Sequence, residues 1–332
     1  MPEIPPIVVA LIPANGKDNA EDIHTLHMQL LKMAKRLHLK IITFSADGAS
    51  AELSAQELMD QEQSDLLPLT YDYPLYGVHL KCPVRTTRPT ISLSDPPHLQ
   101  KTLHNQKQYG MHTASMGVGY VVNASLVALY DTGLVGLVLK DVENVDKQDD
   151  GAARWLFHTV ALDATTTVDD GVNKIRSGFH GLFVYIFIFS RLLIVSNQCF
   201  KFIESFFLGT LIDAWLSQTM SIRDRVLCAL RARFFLHIWH EHIRSMCRQY
   251  KDLYSMARSF ISNACFHIIN QACDTLILLA LAYTEYYPNQ PFCPWLLGTE
   301  FVEHFFGLAR MILPNFSYPE LLKMVQHIMV RQ

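Results

Sequence analysis

The first fifty residues alternate between short apolar runs and one amphipathic stretch. Residues 6–13 (PIVVALIP) form an apolar run bounded by prolines, which predicts a short strand. Asp18 stands three residues before Glu21, a capping-box spacing, and apolar residues then recur at helical intervals over residues 23–37. Residues 41–45 (IITFS) predict a buried strand. The order strand, helix, strand therefore predicts a parallel βαβ unit.

The second predicted strand ends at an acid followed by a glycine, Asp47 and Gly48. Open α/β sheets place ligands and catalytic groups at the carboxyl ends of their strands, and a glycine there permits a sharp turn or a close approach of a ligand. The same pair is also typical of a turn or a helix N-cap, and both interpretations stay open at this point. A second helix is predicted over residues 50–62 and another short strand over residues 77–81.

The segment SDPPHLQKTLHNQ, residues 94–106, predicts a capped helix. Asp95 supplies the cap, and prolines at positions 96 and 97 suit the first helical turn, where no backbone N–H needs to donate. Lys101 and His104 on this helix can meet a phosphate. A solvated surface helix is the simpler alternative.

The pattern from residue 110 to residue 286 predicts mostly helices. Residues 116–130 predict a packed helix, whose glycines lack the spacing of a nucleotide-binding loop. The most apolar run, residues 181–195, falls short of the roughly 20 residues that a membrane-spanning helix needs, so a buried helix is favoured. The predicted helix at 221–250 carries six arginines. Such a helix either docks along phosphates or presents a solvated face.

Residues 299–312 (TEFVEHFFGLARMI) predict an amphipathic helix with acids on its polar side. Glu300, Glu303, Gly307 and Arg310 recur along that side at helical spacing. A glycine inside a helix costs about 1 kcal/mol relative to alanine, so Gly307 suggests that a ligand approaches Glu303 there. Chance placement of the glycine is the alternative.

Composition narrows the class of protein. The chain has 332 residues, half of them hydrophobic and 18% charged, which is typical of a globular protein with a full core. A net charge of -3 gives no overall attraction to nucleic acid, so DNA contacts have to come from local basic patches. Seven cysteines without a CxxC pair favour reduced thiols. Because the N-terminus lacks the features of a signal peptide, we expect a nuclear or cytoplasmic protein with no membrane partner.

Three phrases carry a resemblance to a known family. SADGAS at residues 45–50, DPPHLQKTLHN at 95–105 and EFVEHFFGLAR at 300–310 resemble motifs of the P-element/THAP-type and hAT-like DDE transposases. Over most of the chain, LTYDYPLYG at 69–77, DVENVDKQDDGAAR at 141–154 and the residues around 292–316 are most similar to transposase-like proteins of fungi.

The resemblance implies an α/β fold with an incomplete RNase H-like sheet, interrupted by a large and mostly α-helical insertion. The implied domains are residues 1–107, the N-terminal part of the core, residues 108–290, the insertion, and residues 291–332, the C-terminal helix of the core.

The resemblance also implies a catalytic site and a partner. It makes Asp47 the second catalytic acid of the family and Glu303 the third, with Glu300 as the fallback, holding Mg²⁺ or Mn²⁺ for phosphodiester transfer. DNA is the implied partner, with self-association left open and no nucleotide site evident. Asp95 and His98 match a DPPH-like motif whose role is structural or DNA-facing. The implied DNA-contacting residues are Asp95, His98, Lys101, Arg231, Arg233 and Arg310.

Two departures from the family pattern limit the expected activity. The family's first acid precedes the strand that corresponds to residues 7–12, and this chain has no such Asp, so we expect a truncated relative with little or no DNA-cleaving activity. Residues 190–207 interrupt the resemblance, and a retained intron is our hypothesis for them. The alternative function is a non-catalytic nuclear DNA- or protein-binding module that uses the basic helix at 221–250.

Overall fold

The computed structural model of the protein describes most of the chain. The described residues are 7–13, 17–63, 65–85, 88–96, 98–99, 102, 114–116, 119–143, 156, 159–169, 172–176, 179 and 207–331. Lys101, the apolar run at 181–195 and all of the proposed insertion at 190–207 except residue 207 therefore lie outside the described residues.

The described helices and strands form a mixed structure that is compatible with the predicted α/β class. The helices are α1 (Ala20–Arg36), α2 (Ser50–Gln61), α3 (Asn123–Asp131), α4 (Leu139–Val142), α5 (Thr159–Ala164), α6 (Phe207–Leu216), α7 (Ile222–Gln249), α8 (Met256–Ser259), α9 (Asn263–Tyr286), α10 (Glu300–Ile312) and α11 (Tyr318–Arg331). The strands are β1 (Thr43–Ala46), β2 (Leu69–Tyr73), β3 (Val78–Cys82), β4 (Val84–Arg85), β5 (Arg88–Pro89), β6 (Ile91–Ser94), β7 (Ala114–Met116), β8 (Gly119–Val121), β9 (Thr166–Asp169) and β10 (Val172–Ile175).

The described strands pair into two-stranded sheets. β1 and β6 are parallel, whereas β2–β3, β4–β5, β7–β8 and β9–β10 are antiparallel. The chain divides into two compact units. Unit 1 combines Met1–Pro68, Pro83–Asp95 and Leu296–Gln332, and unit 2 combines Leu69–Cys82 and Pro96–Trp295. The predicted domain limits near residues 107 and 290 stay a prediction.

Helix α1 confirms the predicted first helix, with its cap one residue later than expected. The Asn19 side chain accepts a hydrogen bond from the backbone N–H of Asp22, and the Asp22 carboxylate accepts one from the backbone N–H of Asn19. This reciprocal pair satisfies two backbone donors that would otherwise lack partners at the helix start. Asn19, rather than Asp18, therefore caps the helix.

The parallel pair β1–β6 and the helix α2 form the centre of unit 1. The predicted strand at 41–45 is confirmed as β1, and the predicted helix at 50–62 is confirmed as α2. The Gln56 side chain of α2 is fully buried, and its amide donates to the carbonyl oxygens of Phe44 at 3.4 Å and Leu93 at 3.2 Å. One residue of α2 therefore joins both strands of the pair through their backbones.

The predicted strand over residues 6–13 is not formed in its described part, residues 7–13. A strand needs a neighbour for its backbone groups, and the prolines that bound this run cannot donate. Val8 and Leu11 instead pack against the apolar cluster between α10 and α11. The buried members of that cluster are Phe305, Leu308, Ala309, Leu321, Met324 and Ile328.

Long helices dominate unit 2. The predicted arginine-rich helix is confirmed as α7, which packs against α6 and α9. Within the described part of the chain, α9 is the one helix long and apolar enough to cross a membrane, and 61% of its apolar window is buried. A core helix of a soluble protein can have the same length and apolar composition. The buried residues of α9 extend from Cys265 to Ala282, as expected of a helix that packs inside a protein core.

The predicted helix at 116–130 is wrong in its first half. Strands β7 and β8 form an antiparallel hairpin in which Met116 pairs with Gly119, and helix α3 begins only at Asn123. The apolar run Tyr120–Val122 is rich in residues that favour strands, and periodicity alone does not distinguish a short buried strand from a helix.

We predict that Gln56→Ala lowers the free energy of unfolding of the protein by about 1–3 kcal/mol, because it removes a buried donor to two strand carbonyls. Gln61→Ala, an exposed glutamine at the end of the same helix, serves as the control and should change it by less than about 0.5 kcal/mol. Urea unfolding of both variants measures the difference. Equal effects would show that the amide does not join the strands.

Candidate functional site

The parallel strands of unit 1 bring two acids to one edge of the sheet. Ala46, the last residue of β1, pairs with Ser94, the last residue of β6. Asp47 and Asp95 follow these two residues directly. The Asp95 backbone N–H donates to the Ala46 carbonyl at 2.8 Å, which extends the ladder by one bond. Carboxyl ends of parallel strands are where α/β sheets bind ligands.

Asp47 forms the turn between β1 and α2. Its Oδ1 accepts a hydrogen bond from the Ala49 N–H at 3.2 Å, and Gly48 has φ of 93°, a conformation that favours glycine. Ala49, the residue before α2, makes no side-chain cap of its own. These contacts show that Asp47 forms a turn, which is one of the two interpretations that the sequence left open. Its side chain is exposed, and the catalytic role stays a prediction.

Asp95 brings the start of α10 to the same edge. It is only 4% exposed, and its Oδ1 accepts a hydrogen bond from the backbone N–H of Thr299 at 3.0 Å, 204 residues further along the chain. Thr299 immediately precedes α10. The sequence indicated Asp95 as the cap of the helix that follows it, and the resemblance made it a structural or DNA-facing residue, but no local signal marks the contact with Thr299. The structural role considered for Asp95 thus has a contact to support it, and the DNA-facing role stays a prediction.

The polar side of α10 is exposed, as the sequence predicts. Glu300, Glu303 and Arg310 all lie on the surface. A Cβ added at Gly307 would meet no atom within 4 Å, so packing against other residues does not require a glycine there. The approach of a ligand near Gly307 stays a prediction.

The predicted acids have the ligand chemistry that suits a hard cation. Carboxylate oxygens of Asp47, Glu300 and Glu303 are the ligand type that Mg²⁺ takes. Among the described residues, however, no group of three or more His, Cys, Asp or Glu side chains converges on one point. The role of these acids as metal ligands stays a prediction, and no catalytic step through a metal is derived from them.

The arginines of α7 have different environments. Arg225 is 1% exposed, and its guanidinium donates to the backbone carbonyls of Ala214, Ser217 and Met220. The same group lies 5.4 Å from the ring centroid of Trp295. Burial lowers the pKa of Arg225 from its ordinary value. This arginine holds the end of α6 against the start of α7 and is not available to a phosphate.

Arg233 is also engaged inside unit 2. Its Nε donates to Oδ1 of Asp274 on α9 at 2.8 Å, and the two side chains are 12% and 24% exposed. Burial raises the pKa of the Asp274 carboxyl, and the charge and hydrogen bond of Arg233 oppose this rise. Arg231, two residues earlier, is exposed, as are Arg223 and Arg248.

The structure describes two of the remaining DNA-contacting candidates, His98 and Arg310. His98 is half-buried and helical, and Lys101 lies outside the described part. Arg310 is exposed in the last turn of α10. The DNA-contacting roles of these residues stay predictions.

We predict that Arg233→Ala lowers the free energy of unfolding by about 1–3 kcal/mol, since it leaves the half-buried Asp274 carboxylate without its ion pair. Arg231→Ala removes the same side chain from an exposed position of the same helix, and it should change the free energy by less than about 0.5 kcal/mol. Thermal or urea unfolding compares the two. A larger loss for Arg231→Ala would contradict the assignment.

The fold has a known counterpart. One chain of a solved structure, described as the Drosophila P element transposase strand transfer complex, is similar with a TM-score of 0.52 and 14% sequence identity. The match covers 95% of this chain and 65% of that chain, so the protein spans less than two thirds of its neighbour. No protein-family model and no curated protein matches the chain. At this identity the likeness shows a transposase-like fold and nothing finer.

Proposed function

We propose that this protein is a transposase-derived DNA-binding protein, that its ancestral activity is metal-dependent DNA cleavage and strand transfer, and that it does not cleave DNA by itself. The observation that carries the proposal is the shared edge of unit 1, where Asp47 follows β1, Asp95 follows β6, and Asp95 bonds to the residue before α10. The neighbour with the similar fold is a transposase in a strand transfer complex, which supports DNA as the partner.

The proposal includes an RNase H-like origin for this edge. In that interpretation Asp47 corresponds to the second catalytic acid, and Glu303 to the third, with Glu300 as the fallback one turn earlier. In the ancestral site, acids at these positions would hold Mg²⁺ or Mn²⁺, and the metal would supply Lewis-acid activation of a water or a DNA 3′-hydroxyl. Because no three possible ligands converge among the described residues, we propose that cleavage is lost while the fold is kept.

We predict that the purified protein with Mg²⁺ or Mn²⁺ neither nicks supercoiled plasmid nor joins a labelled DNA end to it above the protein-free level. The reason for this prediction is that no three possible metal ligands converge among the described residues. Gel electrophoresis of the products over a range of metal concentrations measures this. Robust nicking that disappears in Asp47→Ala would overturn the proposed inactivity and establish Asp47 as catalytic.

A specific observation favours DNA contact through α7. This helix has 28 residues, so it is about 42 Å long at 1.5 Å per residue. Arg223, Arg231 and Arg248 are exposed along it, while Arg225 and Arg233 are held inside unit 2. Arginine side chains on an exposed helix contact phosphates and release counterions from DNA. Such binding requires no catalytic acid.

We predict that the protein binds duplex DNA with a salt-dependent affinity. Arg231→Ala should lower the slope of log affinity against log salt concentration by about 1, the change expected for one phosphate contact. Fluorescence anisotropy at several salt concentrations measures the slope. Lys323→Ala, which removes one exposed charge from α11 in unit 1, is the matched control and should leave it unchanged. Equal losses in both variants would show that net charge alone, and not α7, governs binding.

A further inference from the structure

We infer that Asp95 is a positioning residue, which fixes the start of α10, and with it Glu300 and Glu303, at the carboxyl edge of β1 and β6. The importance of this edge for DNA chemistry rests on the proposed function. The positioning itself rests on contacts inside unit 1.

The backbone of Asp95 is fixed by the sheet. Ser94 is the last residue of β6 and pairs with Ala46 of β1. The Asp95 N–H then donates to the Ala46 carbonyl at 2.8 Å. The residue is 4% exposed, so its carboxylate lies inside the unit rather than in solvent. A buried carboxylate needs polar partners, because an unpaired buried charge is costly.

The Asp95 carboxylate meets the start of a helix that needs a partner. The first backbone N–H groups of a helix have no acceptor within the helix, and the dipole there favours a negative charge. Thr299 makes no side-chain cap for α10, and its own N–H donates to Asp95 Oδ1 at 3.0 Å. The Thr299 carbonyl in turn accepts from the N–H groups of Val302 at 2.9 Å and Glu303 at 3.0 Å. Asp95 therefore bonds directly to Thr299, the residue whose carbonyl accepts the first backbone hydrogen bonds of α10.

A glycine next to Thr299 makes room for this carboxylate. A Cβ added at Gly298 would lie 2.5 Å from Asp95 Oδ1, closer than real Cβ contacts allow. Gly307 in the same segment of the chain has no atom within 4 Å of its added Cβ. The close approach is therefore specific to Gly298, and a larger residue there forces the carboxylate away from the Gly298–Thr299 peptide.

The two acids of α10 follow Thr299 by one and four residues, within its first turn. Their position relative to β1 and β6 accordingly depends on where that turn begins. Asp95 does not need to touch a substrate for this role, since it acts through the helix.

Hydrogen exchange of the full chain tests the inference. In Asp95→Ala the amides of residues 299–303 should exchange about tenfold faster or more than in the wild type, because a hydrogen bond to a charged group is lost. Asp95→Asn retains a side-chain acceptor of the same shape, so it should restore most of the protection. Gly298→Ala should expose the same amides as Asp95→Ala, because its Cβ displaces the carboxylate.

Glu320→Ala is the matched control. Glu320 Oε2 accepts from the Ser317 N–H at 2.7 Å at the start of α11, the next helix of the same unit. Its loss should expose the start of α11 and leave residues 299–303 protected. The inference is overturned if Asp95→Ala leaves these amides as protected as in the wild type, if it exposes α10 and α11 equally, or if Asp95→Asn fails to restore protection. Because the readout needs no DNA and no metal, it is independent of whether the proposed function holds.

Discussion

The parallel pairing of β1 with β6 is the constraint on which unit 1 depends. The register that sets Ala46 opposite Ser94 also sets the residues after them, Asp47 and Asp95, at one edge. The buried amide of Gln56 bonds to a carbonyl of each strand, so the helix between them also holds the pair together. A slip of one residue would turn every side chain of a strand to the opposite face. The position of the acids is thus a consequence of strand register.

Unit 1 is assembled from segments that lie far apart in the sequence. Its strands come from the first hundred residues, and its last two helices come from the end of the chain. The cluster between α10 and α11 supplies apolar burial for these helices, and Val8 and Leu11 add to it. Apolar burial of this kind is non-directional and does not define the position of a helix start. A directional hydrogen bond such as that between Asp95 and Thr299 does.

Local signals in the sequence predicted local structure well. The strand before Asp47 and the helices at 50–62 and 221–250 depend on short-range spacing, and each is present in the structure; α1 also begins with a capping box, formed by Asn19 and Asp22 one residue later than the predicted pair. The run at 6–13 was predicted as a strand because its residues favour one. Strand formation, however, depends on a neighbouring strand that no local pattern specifies.

The side-chain environments could not be predicted in the same way. Arg225, Arg231 and Arg233 are chemically identical on one helix, yet one is buried among carbonyls, one is exposed and one pairs with Asp274. Which residue has which environment depends on α6 and α9, which pack against the helix. Asp95 likewise was predicted to cap the helix that follows it in sequence, whereas its contact with Thr299, 204 residues later, depends on the folded chain.

The hydrogen bond between Asp95 and Thr299 also closes a long detour of the chain. The chain leaves unit 1 after Asp95 and returns at Leu296, and this hydrogen bond is one of the contacts inside unit 1 that join the two sides of the gap. The entropic cost of closing a flexible loop rises only slowly, by about 0.6 kcal/mol for each doubling of its length. A long excursion of the chain between Asp95 and Leu296 is therefore compatible with both residues belonging to unit 1.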